Sequence, residues 1–500
     1  MGIVQVEENL MLGGTYFNKG LVLAARDAWE TAERYLTPDM PIQAAIRVHN
    51  ALGSLHLQIN RVQEATEHFN QARSLCETYM DRNKVPIPDH PRALNNLVLS
   101  LLRSGDSDTG LPLILTAVEL AERLGSDPQL VASINITAGV CFMNNEDWEQ
   151  ARVRMTHALE IHRRLGDQYS ESGCLINLGI IALEQKDYDR AKQALEAAEA
   201  LLEEYYDAGL SVYVRTELGR LYFHKGDVTA ALHYSSSALR LLWDSMVFFD
   251  RAEVARLCRL FGHIFMLKGD RPAALSYLQR STTYFAQRQL WREWSLATQE
   301  LDRIIREKSV DKVRVVIEFQ DQELLRYLTT LLGMMDTLES LYPESARHVG
   351  LVTQYALILG KACGLDNAQC SRLASAARLR DVGYTAEGEA NGANAVHGGG
   401  HPVLGERILA MFNVPSEVLA AVRHHEERFD GSGYPDHLVG YDIPLEARIL
   451  ALAGDYVSHV DQEMENGPGY HRRAMTQLQK SSHLYDPQLL SVLEQMHQRA

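Results

Sequence analysis

Small residues recur along the first three hundred positions of this chain with a period near forty. Gly13, Gly53, Val98, Gly139, Gly179, Gly219 and Gly262 follow one another at intervals of 40 to 45 residues. Twelve residues after each stand Ala25, Ala65, Gly110, Ala151, Ala191, Ala231 and Ala274, and nineteen after each stand Ala32, Ala72, Ala117, Ala158, Ala198, Ala238 and Ser281. A large residue sits three after the first position in Tyr16, Phe142, Tyr222 and Phe265. The spacing marks one repeating unit of about forty residues. A turn inside each unit repeats too. Asp147, Asp187, Asp227 and Asp270 recur there, where a carboxylate caps a following helix by accepting backbone N–H bonds. Pro272 falls in a first turn, where its missing N–H costs nothing. Beyond the periodic region, residues 310–321 alternate charged and apolar positions, and 322–341 carry apolar residues at helical spacing.

The periodicity resembles that of tetratricopeptide repeats, lengthened from their usual period of about 34 residues. The third unit is the weakest match, with Val98 and Gly110 at its first two small positions. The resemblance implies seven helical pairs over residues 1–300, stacked into a right-handed superhelix whose concave face holds a protein partner. Trp148, Tyr188, Tyr205 and Tyr206 are its aromatic candidates for that face.

Composition narrows the picture further. Five hundred residues exceed what one core supports, so two or more domains are expected. No apolar run reaches membrane-spanning length, and the first residues lack the basic start and apolar core of a signal peptide. The six cysteines are scattered with no CxxC pair, as in a reducing cytoplasm. A net charge of −16 argues against a surface that coats nucleic acid.

The chemistry concentrates near the end, in HHEERFDGSGYPDHLVGYDIPLEARILALAG from His424 to Gly454. Adjacent histidines, the Gly433-Tyr434-Pro435 turn, Ile443-Pro444 and Ala447-Arg448-Ile449 together resemble the signature of the HD-GYP family. That family belongs to the HD superfamily of metal-dependent phosphohydrolases and typically hydrolyses cyclic di-GMP. The resemblance implies an all-α chain: a tetratricopeptide-type superhelix over 1–300, a connecting segment over 301–335 and an all-helical HD-GYP domain over 336–500. It also implies a metal set of Glu344, His348, Asp381, His401, His424 and His425, with Gly433, Tyr434, Pro435 and Arg448 as ligand contacts. Asp381 is the residue that activity would depend on.

Several positions depart from the family pattern. The histidine expected before Asp381 is Arg380, and the lysine expected to meet phosphate is Tyr384. The terminal metal-binding aspartate aligns with Gly454, with Asp455 one position along, about 100° away on a helix. The loop before Asp430 is one residue longer than usual, and 385–400 is rich in Gly, Ala and Asn. Arginine stays protonated in proteins, so Arg380 sets a fixed positive charge beside any metal. The favoured expectation is a bacterial cytoplasmic adaptor with a degenerate domain. Such a domain carries no metal or a weakly held iron or manganese, and it senses cyclic di-GMP or serves as a scaffold. The alternative is an active phosphodiesterase with a reduced metal centre. A homodimer is compatible with either; insertion into a membrane is not expected.

Overall fold

In a computed structural model of the chain the regular elements are helices, with no strand among the described residues. It describes all residues except 1, 60, 205–206, 245–250, 289, 307–326, 328–329, 332, 336–342, 388–399, 413 and 499–500, and except the side chains of 343–347, 386–387 and 498. Tyr205, Tyr206 and most of the connecting segment and of loop 385–400 therefore lie outside the described residues. The chain divides into two compact units. One holds Thr37–Trp243 and Asp250–Gln322; the other holds Met1–Leu36, Asp244–Phe249 and Glu323–Ala500.

The repeat unit contains α3 (Ile42–Gln58), α4 (Val62–Asn83), α5 (His90–Arg103), α6 (Ser107–Leu124), α7 (Pro128–Asn144), α8 (Trp148–Leu165), α9 (Gln168–Glu184), α10 (Tyr188–Glu204), α11 (Ala208–His224), α12 (Val228–Asp244), α13 (Arg251–Lys268), α14 (Arg271–Gln287) and α15 (Trp291–Arg306). The caps form where the turns predict them. Asp147, Asp187, Asp227 and Asp270 each accept the backbone N–H three residues on, at 2.9–3.2 Å.

The recurring glycines have a steric cause that involves a partner sixteen residues later. A Cβ on Gly53 would lie 2.5 Å from the Phe69 ring, on Gly139 2.9 Å from Met155, on Gly179 2.6 Å from Leu195 and on Gly262 2.7 Å from Leu278. Each large side chain of the second helix thus rests on bare backbone of the first, which is what close interior packing requires. The third repeat inverts the arrangement. Val98 takes the glycine's place, and Gly110 on the opposing helix makes the room, with Val98 Cγ1 3.1 Å from where a Cβ would sit. The mismatch read in the sequence is an exchange of large and small across one contact.

The second unit joins the two ends of the sequence. Its helices are α1 (Gly2–Asn18), α2 (Val22–Arg34), α16 (Pro343–Ala362), α17 (Asn367–Leu379), α18 (His401–Ala410), α19 (Ser416–His424), α20 (Leu445–Met464), α21 (Tyr470–Lys480) and α22 (Pro487–Gln498). The first helical pair follows the repeat pattern, with a Cβ on Gly13 falling 2.3 Å from Trp29, yet it packs on the C-terminal helices. Buried Asp27 receives the Gly469 N–H at 2.6 Å and faces His471 Nδ1 at 2.5 Å. The Tyr16 hydroxyl donates to the carbonyl of His497 at 3.1 Å, and Leu23 N donates to the Tyr355 hydroxyl at 3.3 Å. Sequence periodicity placed this pair with residues 37–300; the compact unit it falls in is the other one. The periodic signal reports how α1 and α2 pack on each other and says nothing of what lies against their outer faces.

Candidate metal centre

Asp381 follows α17 in a tight turn that continues through Gly383 to a single helical turn at Tyr384–Glu387. Gly383 lets this backbone touch the start of α18: a Cβ there would stand 2.0 Å from the His401 carbonyl oxygen. His401 opens α18, and His425 closes α19 as its C-cap. These elements bring ligand atoms of Asp381, His401 and His425 within 4.8 Å of one another. His401 Nε2 lies 3.2 Å from His425 Nε2, and His425 Nε2 lies 4.0 Å from Asp381 Oδ1.

Electrostatics give each group a definite state. Burial pushes both His401 and His425 down to about 4, so both imidazoles are neutral at pH 7. His425 Nδ1 donates to the Val422 carbonyl at 2.8 Å, which leaves Nε2 with its lone pair facing the cluster. His401 Nδ1 is buried with no hydrogen-bond partner among the described residues, while its ring stacks on Tyr384 with centroids 4.2 Å apart. Burial opposes ionisation of Asp381, but Arg380, His425 and His401 outweigh it and hold the carboxyl below its ordinary range. Arg380 donates from Nε to Asp381 Oδ2 at 3.2 Å. Its nearly buried guanidinium lies against α20 at Gly454, where a Cβ would come 3.0 Å from Nη1.

The remaining expected ligands face other partners. His424 Nε2 lies 2.9 Å from Asp436 Oδ2, a carboxylate that Arg423 also holds at 2.7 and 2.9 Å. His348 Nδ1 lies 3.4 Å from Asp461 Oδ2. Glu344 begins α16, and its side chain lies outside those described. Asp455 pairs with Arg428 at 2.6 Å and accepts from the Tyr485 hydroxyl at 2.7 Å. Arg428 stands in the loop before Asp430 and holds the Asp455 carboxylate there. One metal therefore finds three ligands of suitable type, with Arg380 bonded to one of them. Neither His348 nor His424 adds a ligand for a second metal beside these three.

The expected ligand contacts have structural duties. A Cβ on Gly433 would sit 2.2 Å from Arg428 N, so this glycine permits two backbone segments to touch. Glu427, buried, accepts Asp436 N at 2.7 Å and Leu438 N at 3.2 Å and pins the turn that contains Tyr434 and Pro435. Arg448 donates to the Ile443 carbonyl at 3.0 Å, pairs with buried Asp486 and lies over the Tyr441 ring at 5.0 Å. Backbone packing engages Gly433, and hydrogen bonding and ion pairing engage Arg448, within the domain.

Sequence reasoning missed a second feature. The repeat unit carries a cavity of about 760 Å³, open to solvent, whose walls carry Glu184, Glu217, Arg220, Arg256, Arg259 and Glu300. Arg220 lies 3.3 Å from Glu184 and 2.9 Å from Glu217, and Arg259 and His263 both reach Glu300 at 2.9 Å. Burial alone would raise Glu300, but the bonds from Arg259 and His263 bring it to about 2. The signal was available: Glu217/Arg220 and Glu253/Arg256 repeat the same three-residue spacing on α11 and α13. Trp148 and Tyr188 pack against the repeat core instead.

Residues 333–489 match the HD domain family, and residues 130–204 and 176–245 match tetratricopeptide repeat families. The chain is 33% identical over 153 residues to the cyclic di-GMP phosphodiesterase response regulator RpfG of Xanthomonas campestris, covering 27% of this chain and 37% of that protein. It is 27% identical over 180 residues to the 3'3'-cGAMP-specific phosphodiesterase 2 of Vibrio cholerae, covering 32% and 33%. The chain thus spans about a third of the length of these curated relatives. Among solved structures, the apo form of RapI shares 15% identity at a TM-score of 0.46, covering 57% of this chain and 99% of that one. NprR in complex with its cognate peptide NprX shares 12% at 0.47, covering 66% and 97%. No helix among the described residues is long and apolar enough to cross a membrane.

Proposed function

We propose that this chain, which joins tetratricopeptide repeats to an HD domain related to cyclic di-GMP phosphodiesterases, is a bacterial cytoplasmic signalling adaptor. In this reading the repeats hold a protein partner at the charged cavity. The HD domain serves as a regulatory module that recognises cyclic di-GMP without cleaving it. The observation that carries the reading is the bond from Arg380 to Asp381, which commits the one carboxylate of the ligand cluster to a fixed cation. A divalent metal would supply Lewis acidity and an acidified water at such a site. Here the residues expected around a second metal pair with Asp436, Asp461 and Arg428 instead. Tyr384, stacked on His401, offers no cation to a phosphate.

A second reading, an active phosphodiesterase with a single metal, draws on the convergence of Asp381, His401 and His425. Turnover of cyclic di-GMP with added manganese or iron, measured beside Asp381→Ala, separates the two. No turnover together with micromolar binding of cyclic di-GMP supports the adaptor. Metal-dependent product formation that the substitution abolishes establishes the enzyme.

A further inference from the structure

We propose that Arg380 and Gly454 are two halves of one exchange, which closes a latent site for a single divalent transition metal formed by Asp381, His401 and His425. The proposal deepens the regulatory reading above and rests on it for the fold alone.

The donor set is already arranged for an ion. Two nitrogens bound to one tetrahedral zinc at about 2.0–2.1 Å stand about 3.3 Å apart; His401 Nε2 and His425 Nε2 stand 3.2 Å apart. The hydrogen bond from His425 Nδ1 to the Val422 carbonyl anchors that ring as a ligating histidine is anchored. Asp381 adds a carboxylate within 4.8 Å. The obstacle is one side chain. Arg380 cannot lose its proton, it is nearly buried, and it bonds Asp381 at 3.2 Å.

Gly454 gives the guanidinium its room, since a side chain there would make Arg380 shift. Helix α20 passes Arg380 with no side chain at 454, and even a methyl there would lie 3.0 Å from Nη1. The nearest acid along α20, Asp455, is held by Arg428 and Tyr485 and is not available to offset a dication. The arginine therefore stands in for a metal as the counter-charge of Asp381, and the glycine gives it the volume that a side chain would fill. Removing the charge at 380 should open the site.

The test is calorimetric titration of the purified full chain with zinc chloride and with manganese chloride. Arg380→Gln and Arg380→His remove the charge, and Arg380→Lys keeps it. The glutamine and histidine variants should bind one equivalent of zinc about a hundredfold more tightly than the wild type. The lysine variant should stay with the wild type. Adding His401→Ala to Arg380→Gln should abolish the gain. Circular dichroism identifies a variant that has lost its helices, and the other neutral variant then carries the measurement. A wild type that already holds one zinc tightly, or a neutral variant that gains less than tenfold, overturns the proposal. A wild type that holds zinc tightly also counts against the adaptor reading, which cyclic di-GMP turnover tests separately; a gain below tenfold leaves that reading standing.

Discussion

The repeat unit and the HD unit solve the same packing problem with different redundancy. In the repeat unit one contact, a bare glycine under a large side chain sixteen residues later, recurs from repeat to repeat. A defect in one copy can be repaired locally, as Val98 and Gly110 show by exchanging size across the third crossing. In the HD unit every critical contact is made once. Arg380, Gly383, Gly433 and Gly454 each meet a particular backbone or side chain with no second copy. Periodic structure tolerates substitution of a part, whereas a single-copy site changes its chemistry when one residue changes. Position 380 is an instance: its arginine is bonded to the one carboxylate of the ligand cluster.

The sharpest way to break this contrast is to remove a large side chain from a repeat crossing. Phe69→Ala deletes a fully buried ring that rests on Gly53, and should cost about 3–5 kcal/mol in urea unfolding of the full chain. If hydrogen exchange shows the loss confined to the neighbouring repeats, the array behaves as a series of local interfaces. A loss spread evenly over residues 343–498 would contradict that picture.

Asp27→Ala probes the other unit. It strands the Gly469 N–H and His471 in a buried place and should cost about 3 kcal/mol. Protection should fall in α21 and α22. An effect limited to the helices between 42 and 244 would show that the first pair is energetically part of the repeats after all.

Acid should act through His497, whose burial holds it at about 4 against 6.5 when free. Between those values the unfolded chain binds a proton that the folded chain refuses. Its contribution is therefore complete above pH 6.5 and declines as pH falls toward 4, by about 1 kcal/mol per pH unit. Urea midpoints from pH 7 to 4.5 should decline less steeply in His497→Asn. An unchanged slope would assign the acid sensitivity elsewhere.

The smallest effect belongs to the caps. Asp147→Ala removes one bond to Gln150 N and should cost about 1 kcal/mol by thermal denaturation. Asp187→Ala and Asp227→Ala should cost about the same, because the turn is repeated. A cap that cost several times its neighbours would mark a repeat with a duty beyond stacking.

The sequence made the two regions legible in different measure. Glycine spacing and capping aspartates reported the helical pairs because each signal is local and repeated. The partner at the sixteenth residue escaped notice because its identity varies among Phe69, Met155, Leu195 and Leu278 while only its size is constrained. The string from His424 to Gly454 disclosed the HD domain, and motif order brought Asp381, His401 and His425 to one place. Spacing alone did not disclose that His424 turns to Asp436, or that Arg428 pairs with Asp455. Those outcomes depend on competition among acids for a few cations, which no linear motif encodes. The allegiance of α1 and α2 is hidden for a similar reason: their partners Gly469, His471 and His497 lie more than four hundred positions on.

That last feature bears on how the protein is made. Synthesis runs from the N-terminus at about 5–20 residues per second, and α1 and α2 emerge long before α21 and α22. Each later repeat meets its neighbour within seconds of leaving the ribosome. The first pair waits roughly half a minute or more for the surface it docks on, with Asp27 and Tyr16 unpartnered by that surface meanwhile. A chain interrupted anywhere short of α21 would hold folded repeats beside an unfinished HD unit. The Asp27 clasp therefore closes only on a chain that has been read through α21.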